Sequence, residues 1–308
     1  MIAKGINIDE NGVAIYEWGR HKPLSDQLCW QGYALAYACI IEDTMLANRL
    51  ISGLLYMEKA TGKEGYLPRC IYTDEQEYDY IHKPNGIGIW DDTSRDQYTG
   101  LMFGLWHAQG FADANELWMR VHETVKEDKG IVNQDGKACE FGKLNSFYQS
   151  LVSGRIEWGC KLLASTFPLI KYYDCIKRFT GKRVNRSNYH MLLSGLYLLS
   201  RIDKGMGKYY DRLYEHVKNE ENGLFEAMYN MIHHKQGEVI DTHRCKCQYV
   251  SRDCSTLRSY VVPLEDRPNS HWMWKEDPYY EVTNYQYTDR YNTDLDVRLA
   301  VAINEGVK

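Results

Sequence analysis

The chain has 308 residues, 26% of them charged and 44% hydrophobic, enough to bury a large core and too apolar for a disordered protein. Its formal charge of −5 leaves no basic stripe, which argues against a nucleic-acid partner. Aromatic residues reach 13%, with 25 tyrosines and 8 tryptophans, a surplus suited to stacking on sugar rings, to large cores and to protein interfaces.

Residues 1–5 hold no basic segment leading into an apolar run, so no secretory signal is expected. The most apolar helix, 28–41, is interrupted by Gln31 and too short to span a bilayer, so no membrane partner is expected. Nine cysteines in that setting read as thiols and not as a disulfide framework. A cytoplasmic protein is expected, and a virion-associated one released by lysis is compatible with the same features.

Three helical hairpins follow one plan. Helix 26–41 pairs with 44–61, helix 95–109 with 113–128, and helix 187–202 with 207–219. Each pair ends in a polar stretch, a glycine suited to a helix C-terminus and two apolar residues: Gly62-Lys63-Glu64-Gly65-Tyr66-Leu67, Lys129-Gly130-Ile131-Val132 and Asn222-Gly223-Leu224-Phe225. The first helix of each pair is rich in small residues (Gly32, Ala34, Ala36; Gly100, Gly104, Ala108; Ser194, Gly195), which permits close helix approach in an inner ring. The second helices carry more charge, as Glu116, Arg120, Glu123 and Lys126 show, and suit an outer, solvated ring. Segments 147–158 and 160–180 supply a further pair, which Pro168 must kink or divide. Residues 70–90 form a long connection around Pro84-Asn85-Gly86. Residues 238–293, rich in Cys, Tyr and Trp, read as an irregular or β-containing insertion before a last helix, 294–305. The expectation is a single all-α domain, 1–308, with any sheet confined to 238–293.

Chemistry concentrates in Trp90-Asp91-Asp92-Thr93-Ser94-Arg95-Asp96-Gln97, where three carboxylates, an arginine and an amide stand at the mouth of an inner helix. Ser94 with Gln97 fits a capping box, and acids suit a first turn. Capping accounts for Ser94 and one acid, and less well for Trp90, Asp91, Asp92 and Asp96 together.

The hairpin repeat, the small-residue helices and this acidic mouth resemble the (α/α)-toroid, or six-hairpin, glycosidase-like proteins. The string Ser94-Arg95-Asp96-Gln97-Tyr98-Thr99-Gly100, followed by Phe103-Gly104-Leu105, also resembles a group of uncharacterised bacterial proteins. The resemblance implies an (α/α) toroid or partial toroid, with the cleft at one end and carboxylates as acid and base. It implies a glycoside hydrolase-like enzyme acting on an oligo- or polysaccharide, with inversion favoured and no cofactor.

Cleaving a glycosidic bond takes two flanking carboxyl groups. Asp92 and Asp96 are the candidates at this mouth, with Glu276 (or Asp277) as the opposite carboxylate in the aromatic cluster of Trp272 and Trp274. Arg69, Trp90, Asp91, Arg95, Gln97, Tyr189, His190, Trp272 and Trp274 are candidate substrate contacts. Arg69 would hold a carboxylate-bearing sugar bidentately or sit in a surface salt bridge. Tyr189 with His190 would serve the alternative of a polysaccharide lyase. A rival from another class is a non-catalytic helical scaffold or virion component that binds protein or itself.

Two weaker patterns remain. The run Asp91-Asp92-Thr93-Ser94-Arg95-Asp96 superficially resembles the magnesium-binding motif of class I terpene synthases, with one residue too many and no second motif. His243, Cys245, Cys247 and Cys254 have no paired zinc-knuckle spacing, so buried thiols and no metal are expected.

Overall fold

A computed structural model describes residues 6, 8–14, 27–72, 81–93, 95–128, 130–140, 186–202, 204–218, 222–235 and 294–305; at 81, 82, 95, 96, 138, 140, 186–189, 191, 202, 294, 296 and 297 it describes the backbone alone. Contacts divide the chain into two compact units, Ile6–Phe167 and Pro168–Lys308 with Met1–Gly5. The described residues are mostly helical, as expected. None of their helices is long and apolar enough to cross a membrane. The helix pair expected at 147–158 and 160–180 and the insertion at 238–293 lie outside the described residues.

In the first unit, helix α1 (Gln27–Ile40) is buried on nearly every side, from Leu28 through Ala38. A three-residue link turns the chain into α2 (Thr44–Thr61), whose first turn is capped by Asp43 accepting from the Leu46 amide at 2.9 Å. Gly62 ends α2 in the left-handed conformation at φ 70°, the role its position in the sequence predicts.

Helix α3 (Arg95–His107) lies directly on α1. The approach is backbone to backbone. A Cβ on Gly32 would meet the Gly100 carbonyl, one on Gly100 the Cys29 carbonyl, and one on Gly104 the Gly32 backbone. Because 29 meets 100 and 32 meets 104, the two helices run in the same direction. The small residues therefore do what the sequence implies.

Helix α4 (Ala112–Glu127) buries Ala114, Leu117, Trp118, Val121 and Val125 along one face. Arg120 of α4 clasps Glu58 of α2 through Nε at 2.9 Å and Nη2 at 2.6 Å, and Glu58 also accepts from the Gly65 amide at 2.7 Å. That hydrogen-bonded carboxylate holds the guanidinium above its ordinary pKa.

Sheet is not confined to 238–293, and that expectation is corrected. Strands β1 (Cys70–Tyr72), β2 (Ile81–His82) and β3 (Gly88–Trp90) form an antiparallel sheet in the order β1-β3-β2, with Cys70 opposite Trp90 and Ile81 opposite Trp90. The turn at Gly86 (φ 75°) needs a residue without a Cβ penalty. Beside it, the Asn85 amide donates to the Lys59 carbonyl at 2.7 Å and so satisfies the end of α2. A second antiparallel pair, β4 (Ile131–Val132) and β5 (Ala138–Glu140), follows α4. Strands of two or three residues leave too short a trace of alternation to be read beforehand.

The second unit holds α5 (Arg186–Ile202), α6 (Gly207–Tyr214), α7 (Gly223–Ile232) and α8 (Asp294–Glu305), with a 3-10 turn at Lys204–Met206. Tyr210 of α6 donates to the Phe225 carbonyl of α7 at 2.7 Å, and α7 packs on α8. One expectation fails here. Gly223 does not close the preceding helix but opens α7, because Asn222 caps it by accepting from the Phe225 amide at 3.0 Å.

Candidate functional site

The residues at the mouth of α3 are placed by four elements that meet there. Arg69, just before β1, donates its amide to the Trp90 carbonyl at the end of β3, at 2.9 Å, and accepts from the Leu28 amide at the start of α1, at 3.1 Å. Gln27, the first residue of α1, accepts from the Ile71 amide at 2.8 Å and donates to the Ala14 carbonyl at 3.1 Å. The chain leaving β3 therefore enters the turn Asp91-Asp92-Thr93 beside the starts of α1 and α3.

Asp91 is buried, 3% exposed. Its Oδ2 accepts from the Asn133 amide at 2.7 Å and the Gln134 amide at 2.9 Å, both from the turn joining β4 to β5. Asn133 is held for this task, because its Oδ1 accepts from the backbone amides of Asp135 at 3.1 Å and Lys137 at 2.9 Å. The Asp91 backbone carbonyl accepts from the Tyr66 hydroxyl, from the Thr93 amide at 2.9 Å and from the Cys139 thiol at 3.6 Å. Asp91 Oδ1, buried, has no hydrogen-bond partner, and neither has buried Thr93 Oγ1 or Gln134 Oε1.

Three ionisable side chains around Asp91, those of Tyr66, Tyr98 and Cys139, are pushed toward their neutral forms. Burial pushes the Tyr66 phenol far above its ordinary range, and neighbouring Tyr98, Cys139 and Asp91 push it further. Tyr98 rises by burial against the opposing bond from the Leu67 amide, which its hydroxyl accepts at 3.1 Å. Burial also raises the Cys139 thiol. Asp91 makes no ion pair with any described residue.

Beside this turn, the Arg69 guanidinium stands 4.9 Å from the centre of the Trp90 ring. Its Nη2 donates to Gln97 Oε1 at 3.3 Å, and its buried Nε has no partner. Arg69 is in no salt bridge with a described residue. The structure thus brings Arg69, Trp90, Asp91 and Gln97 together, with Asp92 adjacent and exposed. Arg95 and Asp96 fall in the first turn of α3, but their side chains lie outside the described residues, as do Ser94, Trp272, Trp274, Glu276 and Asp277.

His190 belongs to the second unit, where it is fully buried in α5 with its ring edge-on to Phe225 at 5.8 Å. The Tyr189 side chain is not among those described. The thiol cluster of Cys245, Cys247 and Cys254 with His243 is likewise outside them. Nearby His233 is described, and it bonds Asp211 at 2.6 Å. Among the described residues no group of three or more His, Cys, Asp or Glu is placed to hold a metal.

Sequence reasoning missed Asn133 and Gln134, which supply both donors to Asp91, and Tyr66 and Cys139, which hold its backbone. Asn133-Gln134-Asp135-Gly136 carries a turn signal, but nothing local to it names Asp91 as a partner. No family model matches the chain, and no curated protein or solved structure matches it.

Proposed function

We propose that the chain is a carbohydrate-active, glycoside hydrolase-like enzyme built as a partial (α/α) toroid, acting on an oligo- or polysaccharide. In this reading α1 and α3 are inner helices and α2 and α4 their outer partners. Support comes from the glycine contacts and shared direction of α1 and α3, and from the charge carried by α4. The observation that carries the functional reading is the acidic turn Asp91-Asp92, set where α1 and α3 begin and beside a guanidinium stacked on an indole.

Each group has a role in inverting hydrolysis. One carboxyl group protonates the leaving oxygen while a second takes a proton from the attacking water on the opposite face of the sugar. Asp92, exposed, and Asp96, in the first turn of α3, are assigned to this work. Arg69 and Trp90 orient the sugar. The stack covers one face of the indole, so Arg69 itself is the nearer contact.

The test is a panel of polysaccharides scored by release of reducing ends, on the parent and on Asp92→Asn and Asp96→Asn. Removing an acid or base should lower turnover by about 10²–10⁴-fold with the melting temperature nearly unchanged. Full turnover in both variants, on a glycan the parent cleaves, overturns the assignment.

A further inference from the structure

Three Asn-Gly pairs occur in the chain: Asn11-Gly12, Asn85-Gly86 and Asn222-Gly223. Such a pair carries its own reaction. The backbone nitrogen of the glycine can attack the amide carbon of the asparagine side chain, and glycine has no Cβ to obstruct the approach. Whether the attack proceeds in a folded chain depends on how firmly the pair is held and how well water reaches it.

The fold treats the three pairs differently. Asn222 is 3% exposed with its Oδ1 tied to the Phe225 amide, and Gly223 is buried in the first turn of α7. Gly12 is also buried, and a Cβ built on it would meet the Arg49 carbonyl and the Gly53 amide, so its backbone has no room to turn. At the β2–β3 turn, by contrast, both Asn85 and Gly86 are exposed, and nothing lies within 4 Å of a Cβ built on Gly86. Two bonds restrain this pair. The Gly86 amide donates to the Lys83 carbonyl at 3.2 Å, and the Asn85 side-chain amide donates to the Lys59 carbonyl at 2.7 Å. Both lie at the surface, where water competes for the same groups.

We infer that Asn85-Gly86 is a self-modifying site of the folded protein. The Gly86 nitrogen gives its proton to solvent base and bonds to Asn85 Cγ. The Cγ–Nδ2 bond breaks, and Nδ2 takes a proton from water and leaves as ammonia. The cyclic imide that remains adds a water at either of its carbonyls, opening to aspartate or isoaspartate. Nothing is oxidised or reduced, and water is the only co-reactant. Either product lacks the donor that reaches the Lys59 carbonyl, and it sets a carboxylate near the C-terminal end of α2, where negative charge is unfavourable. The reaction therefore releases the turn from α2, and with it the anchor at the head of β3, the strand that ends in Trp90. The site is independent of the carbohydrate reading.

The test holds the full chain folded in mildly alkaline buffer, beside a sample unfolded in guanidinium chloride, and follows both by proteolysis and mass spectrometry. Unfolding should bring the three pairs to similar rates. In the folded chain Asn85 should convert at least about tenfold faster than Asn222, which must wait for local opening of α7, and faster than Asn11. Isoaspartate should appear at position 85 together with aspartate, the signature of the imide. Asn85→Asp, which carries one of the products from the start, should melt about 2–4 °C below the parent. A folded-state rate at Asn85 no higher than at Asn11 and Asn222 overturns the inference, and so does aspartate formed without isoaspartate. A melting temperature for Asn85→Asp equal to the parent's overturns the release of the turn.

Discussion

Gln31 in α1 and Asp91 in the turn before α3 belong to the same unit and are almost equally buried, at 0% and 3% exposure. Gln31 uses everything it has. Its oxygen accepts from the Ala14 amide at 2.6 Å, and its nitrogen donates to the carbonyls of Gly12 and Leu50, each at 2.9 Å. It staples segment 8–14 to the α1–α2 hairpin and leaves no capacity for a ligand. Asp91 spends one oxygen on two amides and leaves the other without a donor. A buried polar group whose bonds all close within the fold is structural. One that keeps an oxygen open is not fully accounted for by the bonds of the fold. Burial alone does not separate the two, and the pattern of satisfied bonds does.

The largest effect should come from the contact beneath both residues. Gly100→Val places a branched side chain against the Cys29 carbonyl, where only backbone stands and no side chain can swing aside. A loss of about 4 kcal/mol or more is expected, or no folded protein, measured by urea denaturation. Gly110, which has nothing within 4 Å of an added Cβ, is the control. Gly110→Ala should stay within about 0.5 kcal/mol of the parent. Equal effects at the two glycines would mean that α1 and α3 do not meet backbone to backbone.

Next in size is Gln31→Leu. Leucine fills a similar volume but strands the Ala14 amide and the Gly12 carbonyl inside the core and removes the extra bond to Leu50, at a cost of about 2–4 kcal/mol. The same measurement checks it, and a variant as stable as the parent would show that segment 8–14 finds other partners or was never fixed by Gln31.

Much of this contrast was legible in the sequence, and its decisive part was not. Gly32, Gly100 and Gly104 announced a close helix contact, because repeated small residues on one apolar face have few other uses. Gly62 marked the end of α2 for a stereochemical reason that needs no partner. Asn222-Gly223 misled because asparagine serves a helix start as readily as glycine serves a helix end, and only the bond to the Phe225 amide decides between them. The strands at 70–72 and 88–90 gave no usable period. At the mouth, the residue types of Asp91, Asp92 and Arg69 drew attention to a stretch whose Arg69, Trp90, Asp91 and Gln97 the structure brings together. What distinguishes Asp91 from Asp92 is supplied by Asn133 and Gln134, which lie 42 and 43 residues further along the chain. No local pattern reports so distant a partner.

The smallest effect is also the sharpest, because its sign separates the two kinds of buried polar group. Asp91→Asn preserves the shape of the side chain. The asparagine oxygen can still accept from the Asn133 and Gln134 amides, in the place of Oδ2. Its new amide nitrogen then stands in the place of Oδ1, which no donor reached. The substitution removes a buried charge that no described residue pairs and keeps the bonds from Asn133 and Gln134. The variant should match the parent or exceed it by up to about 1 kcal/mol in urea denaturation. If Asp91 were structural in the way Gln31 is, its charge would be needed by its neighbours. The same change would then destabilise the fold by about 2 kcal/mol or more. A loss of that size would place Asp91 with Gln31, as a group whose charge the fold itself requires.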